Sequence, residues 1–198
     1  GSGLAPVRFT LLPPGAAACA VFDLMNRATE PASQRFLRLE PPTEGSCDAK
    51  DRAACYSGID QGRLVAGEHL VVTVEPPAGS SYVLVDYFMA DGHVAHLYPH
   101  RGADDETIPT ESYGSATPGM VFIGDGRAGE ADLAVYPVQE PFGDELILAL
   151  AATKPVFAAT RPFLEPTAAY LTALKDALAN QSPPATASTL WVNTAPEH

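Results

Sequence analysis

Proline, at 19 of 198 residues, constrains this chain more than any other feature. The pairs Pro13-Pro14, Pro41-Pro42, Pro76-Pro77 and Pro183-Pro184 all fall between apolar segments. Proline fixes φ and has no backbone N–H, so it ends helices and strands. A chain punctuated in this way is expected to fold into short elements at short spacing, the pattern of a β-rich domain.

The apolar residues between these breaks have readable periods. Residues 7–12 read as a first strand. In residues 15–27, Ala18, Val21, Phe22 and Met25 fall at i, i+3, i+4 and i+7, which predicts a helix ending near Asn26-Arg27. Residues 35–40 alternate, with Leu37 and Leu39 on one face. Residues 68–75 alternate more clearly: Leu70, Val72 and Val74 point one way and His69, Val71 and Thr73 the other. Residues 82–89 are apolar on both faces apart from Asp86, as expected of a central strand. Asp91-Gly92 is the preferred pair for a two-residue type I′ turn, and residues 93–98 return from it until Pro99. Residues 100–119 read as a long loop, and 120–123, 133–138 and 145–152 as further strands. Pro166, placed for a first turn, and the stripe Tyr170, Leu171, Leu174 and Leu178 predict a helix that Asn180 caps. Residues 181–188 read as a Pro/Ala/Ser linker before a final strand at 189–194 that brings Trp191 back to the body.

The expected fold is therefore mainly β (α+β). It is an antiparallel β-sandwich with a C-terminal helix packed on it and a short N-terminal helix, in a single domain over residues 4–198. Gly1-Ser2-Gly3 reads as a tag scar, so the chain is expected to be an excised domain.

Charge and hydropathy narrow the partners. The chain carries 24 acidic and 12 basic residues, a formal charge of −12. Nothing resembles a basic stripe for neutralising phosphates, so nucleic acid is not an expected partner, and anionic membrane surfaces are disfavoured for the same reason. The longest clean apolar run, residues 146–152, is far short of the roughly 20 residues that a spanning helix needs.

Several groups could carry chemistry. Cys47 and Cys55 flank a polar stretch that reads as an exposed loop, which a disulfide could close for roughly 2–3 kcal/mol. That pairing implies an oxidising compartment, periplasmic or extracytoplasmic. Two reduced thiols in the cytoplasm are the alternative. Cys19, among apolar residues, reads as a small buried hydrophobe with nothing positioning it as a nucleophile. His93, His96 and His100 are close in sequence. A two-residue turn would set Tyr87 opposite His96 and place Asp86 on the other face, against Leu97. Neither a shared metal nor an Asp86–His96 dyad is expected, and His96 reads as a core histidine. Asp86, a carboxylate in an apolar run, must find donors or protonate. Structural hydrogen bonding is its first reading and lining a pocket its second.

Gly124-Asp125-Gly126-Arg127-Ala128-Gly129 has the glycine spacing of a dinucleotide fingerprint. No helix opens at its third glycine, so it reads as a hairpin loop, and no cofactor is expected. The acidic groups Asp104-Asp105-Glu106, Asp125 and Asp132 lack the spacing of a calcium loop. Tyr56, Tyr98, Tyr113 and Phe142 lie in or beside loops. With Asp86 they are the candidate binding residues, and the opposing reading is that each aromatic lids the sandwich core.

A further signal comes from residue order. The run Tyr82-Val83-Leu84-Val85-Asp86-Tyr87-Phe88, the turn Asp91-Gly92, and Val94-Ala95-His96-Leu97-Tyr98-Pro99 resemble a bacterial family, the domain of unknown function 4384. So do Pro141-Phe142-Gly143-Asp144-Glu145-Leu146-Ile147, Lys154-Pro155-Val156-Phe157 and the Tyr170-Leu171 and Leu174 helix. The upstream segment Cys19-Ala20-Val21-Phe22-Asp23-Leu24 is similar to an element that often precedes that domain. The resemblance covers about two-thirds of the chain, and residues 43–57 are an insertion to it. It implies a C-terminal module of larger envelope- or secretion-associated proteins, beside serine/threonine kinases or caspase-like peptidases, with no catalytic residues to carry over. The function expected is thus a non-enzymatic sensor or binding module for a protein, peptide or small cell-wall ligand. A structural scaffold in a secretion complex is the alternative, and a hydrolase built on Cys19 or Asp86 a third reading.

Overall fold

A computed structural model describes residues 16–31, 36–39, 62–99, 119, 121–124, 136–159 and 161–196. The 3.6-residue period at the N-terminal end forms helix α1 (Ala16–Ala28), which buries Ala18, Val21 and Met25. Among the described residues, eleven strands then follow in chain order. They are β1 (Glu30–Pro31), β2 (Leu37–Leu39), β3 (Arg63–Val65), β4 (His69–Leu70), β5 (Val72–Val74), β6 (Tyr82–Phe88), β7 (His93–Tyr98), β8 (Val121–Ile123), β9 (Tyr136–Pro137), β10 (Asp144–Ala152) and β11 (Leu164–Pro166). Helix α2 (Thr167–Ala179) and strand β12 (Thr186–Ala195) complete the order.

Among the described residues the main sheet has seven strands, in the order β1-β12-β10-β6-β7-β11, with β3 also beside β12. Its pairings are antiparallel except those of β1 and β3 with β12. A three-stranded sheet β2-β5-β8 and the pair β4-β9 accompany it. Because β6 and β10 are apolar on both faces, the main sheet buries both. On one face Val83, Val85, Leu97, Ile147 and Ala149 meet Leu37, Leu70, Val72, Val74 and Ile123 of the smaller sheets. On the other, Leu84, Phe88, Val94, Leu146, Leu148 and Leu150 meet Val21 and Met25 of α1 and Tyr170, Leu174 and Leu178 of α2. A helix as short as α2 is marginal by itself. Its three buried anchors, at about 1.5–3 kcal/mol each, hold it on the sheet. The mainly β, sandwich-like arrangement with a C-terminal helix packed on it and a short N-terminal helix is as expected, and α1 and α2 share one face of the main sheet.

Some boundaries differ from expectation. The strand expected over 68–75 divides at Val71: β4 pairs with β9, while β5 pairs with β2 and β8. The chain switches sheets there, so residues from Leu70 to Val74 are buried whichever way they point. The expected linker at 181–188 is too long. Thr186, Ala187 and Ser188 already belong to β12 and face Ala151, Leu150 and Ala149 of β10. Their composition looks like a connection, but β10 needs partners along its whole length. Pro166 ends β11 and stands as the N-cap of α2, one position before the first turn. Asn180 caps the end of α2 as expected: its N–H donates to the Ala177 carbonyl at 3.1 Å, and the next N–H, of Gln181, donates to that of Leu178 at 3.1 Å. Residues 7–12, the expected insertion at 43–57 and all but Gly119 of the loop expected over 100–119 lie outside the described residues.

The hairpin between β6 and β7 differs most. Its loop holds three residues, Ala90, Asp91 and Gly92. Met89 N–H donates to His93 O at 2.9 Å and Gly92 N–H to Met89 O at 3.2 Å. Gly92 takes φ +87°, the left-handed position of a three-residue hairpin with a bulge. The pairing becomes Phe88 with Val94, Tyr87 with Ala95 and Asp86 with His96, with a register shift between Val85 and Asp86. One residue of slip moves a side chain to the opposite face of its partner strand. Asp86 and His96 therefore share a face.

Candidate functional site

The shared face of β6 and β7 looks toward α2, and there a buried polar cluster forms. Asp86 is fully buried and His96 is 4% exposed. His96 Nδ1 lies 2.6 Å from Asp86 Oδ1. The second Asp86 oxygen accepts from the hydroxyl of Tyr170, which the apolar stripe of α2 carries into the core. His96 Nε2 lies 3.0 Å from Glu165 Oε1 on β11. Glu165 is in turn gripped by Arg161, with Nε at 2.8 Å and a terminal nitrogen at 2.5 Å. The guanidinium stands over Phe157 and Tyr170, 5.1 and 5.8 Å from the ring centroids, and the Tyr170 ring meets His96 edge-on at 4.8 Å. A chain of contacts thus runs from Asp86 in the core to Arg161 at the surface, tying β6, β7, β11 and α2 together.

The charges explain how this survives burial. Burial raises the Asp86 carboxyl above its ordinary range, although His96 and Tyr170 act against it. For His96, burial disfavours charge, but the hydrogen bonds and charges of Asp86 and then Glu165 outweigh it and raise the imidazole. Burial would raise Glu165 too, but Arg161 and His96 prevail and hold it low. The bonds to Glu165 raise Arg161. The arrangement fits a protonated imidazole that donates from both nitrogens to two carboxylates, with Arg161 balancing the outer one. Neither ring nitrogen is left over to accept a proton from an outside group.

A second buried carboxylate lies on the opposite face. Glu145, at the start of β10, accepts from the Tyr87 hydroxyl and from Ala90 N–H at 3.2 Å. Burial raises its carboxyl, and burial followed by the Glu145 charge raises the Tyr87 phenol. This pair ties β10 to the hairpin loop.

The residues expected to form a site do not converge. Asp86 is engaged as the structural hydrogen bonding reading expected, but the expectation that His96 faces away from it is overturned by the three-residue loop. Tyr98 and Phe142 are half-buried against the sandwich core, as the lid reading had it. Tyr56, Tyr113, Cys47 and Cys55 lie outside the described residues, as do His100 and the acidic loop groups. Cys19 corrects another expectation: it is exposed on α1, just off the buried stripe. His93 faces away from His96 and lies 3.2 Å from Asp91. Gly124 ends β8 at φ +83°, where a Cβ would stand 2.1 Å from Leu70 O, so close backbone packing accounts for this glycine. Among the described residues no group of three His, Cys, Asp or Glu side chains could hold a metal ion, and no helix is long and apolar enough to cross a membrane.

Sequence reasoning missed Glu165, Arg161 and Glu145 and took Tyr170 for an apolar anchor only. One signal was present: a mid-strand aspartate requires donors, and a tyrosine on a buried stripe carries one. No protein-family model, no curated protein and no solved structure matches this chain.

Proposed function

We propose that this chain is a non-catalytic sensor or binding module of a larger bacterial envelope or secretion-associated protein, taking a protein or peptide partner. The observation that carries this reading is a pair of large apolar side chains at the edge of the main sheet. Phe163 and Leu164 are 37% and 48% exposed, and Leu164 lies on the short edge strand β11. The Phe163 ring stacks on Tyr136 with centroids 6.3 Å apart, which presents it as a rigid platform. Rigid aromatic anchors at a sheet edge suit recognition of an extended segment. The closed ion chain at Asp86 and His96 supports the same reading, since both groups are engaged within the protein. The domain of unknown function 4384 resemblance points to the same setting.

The test is a photo-crosslinking amino acid placed at Leu164, with this chain as bait in envelope extract of its source bacterium. One dominant protein adduct is expected, reduced about tenfold or more by Phe163→Ala, the effect of removing an interface anchor. Adducts unchanged by that substitution, or none, would move the assignment to a small ligand. The reading also places the module outside the cytoplasm with Cys47 and Cys55 joined, and a rise in intact mass on reduction is the expected result.

A further inference from the structure

We propose that His96 is a proton-operated latch that holds the β11 edge on the main sheet only while both of its ring nitrogens carry hydrogen. His96 stands between two carboxylates, with Asp86 on Nδ1 at 2.6 Å and Glu165 on Nε2 at 3.0 Å. Carboxylates only accept, so keeping both contacts needs two N–H groups, and a neutral imidazole has one. When the proton leaves, one carboxylate must face a ring lone pair.

The surroundings decide which contact breaks. Asp86 comes from β6 in the middle of the sheet, is fully buried, and keeps the Tyr170 hydroxyl from α2. Glu165 comes from a three-residue edge strand and has a second partner, Arg161, whose side chain is 27% exposed. No other charged group pairs with the His96 ring among the described residues: β10 sets Leu148 beside Asp86, and His93 and Glu145 belong to the other face. Glu165 can therefore leave with Arg161 into water, whereas Asp86 cannot leave without opening the core. Besides the Phe163–Tyr136 stack and the Arg161 guanidinium over Phe157 and Tyr170, few backbone bonds fasten this edge. His96 N–H donates to Phe163 O at 2.9 Å, Thr167 N–H to Gly92 O at 2.9 Å, and β11 covers only Ala95, Val94 and His93. Release would free the outer edge of β7.

Hydrogen exchange followed by mass spectrometry between pH 6 and 10, corrected for intrinsic rates, tests the latch on the whole chain. Residues 161–167 are expected to lose protection as pH rises, by up to about tenfold per pH unit for a single proton. Residues 144–152 in the central strand should exchange more slowly at every pH. The variant Glu165→Gln supplies the decisive comparison. Its amide can offer either oxygen or N–H to the ring nitrogen, so the edge should stay docked whichever form His96 takes. An edge whose protection ignores pH in the parent protein would overturn the latch. So would edge and centre opening together at one rate, which is global unfolding. A Glu165→Gln protein that keeps the parent pH response would overturn it as well.

Discussion

Asp86 is a carboxylate held in an apolar strand by partners from other elements, and the cost of removing each partner follows from what is left behind. In Asp86→Ala the hydroxyl of Tyr170 and a charged His96 remain buried beside a gap. Breaking a buried ion pair in this way costs about 3–5 kcal/mol. Tyr170→Phe keeps the ring against Phe88 and Phe157 and removes the donor to Asp86. The cost expected is about 1–3 kcal/mol, that of an unmet buried acceptor. Urea denaturation should rank the two variants in that order. Equal costs would mean that the ring, rather than the hydroxyl, is what Tyr170 contributes. That Asp86 needed donors was legible from its place in residues 82–89. Which donors it found was not, because His96 and Tyr170 lie 10 and 84 residues further along the chain.

At the scale of elements, both helices and the central strands follow from periodicity, which is a local property. The hairpin shows where locality stops. Asp91-Gly92 correctly marks a turn, yet the loop closes over three residues. Asp91 Oδ1 accepts from His93 N–H at 2.9 Å, and Gly92 O accepts from Thr167 N–H at the start of α2. The second of these contacts comes from a distant element, and the resulting register places Asp86 and His96 side by side. Backbone crowding makes a sharper prediction at β8. A glycine-to-alanine change at a compatible position stabilises by about 0.4–1 kcal/mol, but Gly124→Ala combines a positive φ with a Cβ overlapping Leu70 O, so it should destabilise by more than that amount. A fall in thermal midpoint of several degrees is the expected readout, and a neutral result would show that β8 and β4 can separate freely.

For the molecule as a whole, the buried groups set how stability depends on pH. His96 is raised above its ordinary value of 6.5, so on an upward titration the unfolded chain releases this proton first. Its contribution is whole below about pH 6.5 and is lost as pH rises through the higher folded value, at up to about 1.4 kcal/mol per pH unit. Glu145, raised by burial and outside the His96 pair, acts in the same direction: its contribution is greatest where it is protonated and is lost as pH climbs through its raised value. Glu165 acts oppositely: its lowered value gives stability present above about pH 4.5 and lost as pH falls through the folded value. Urea midpoints measured from pH 5 to 9 should decline on the alkaline side, and His96→Gln should flatten that decline while lowering stability overall. A parent profile as flat as the variant's would show that His96 does not hold its proton more tightly when folded.

Element types, short spacing, the central strands and the apolar stripes of both helices were legible from local sequence. Proline positions and hydrophobic periods act over a few residues, so they can be read without knowing the rest of the chain. The hairpin register, the division at Val71, the early start of β12 and the union of Asp86, His96, Glu165, Arg161 and Tyr170 came from long-range packing. Those outcomes depend on which distant groups leave water together. A buried polar atom accepts whichever partner the packed elements bring to it, and sequence spacing does not encode that partner.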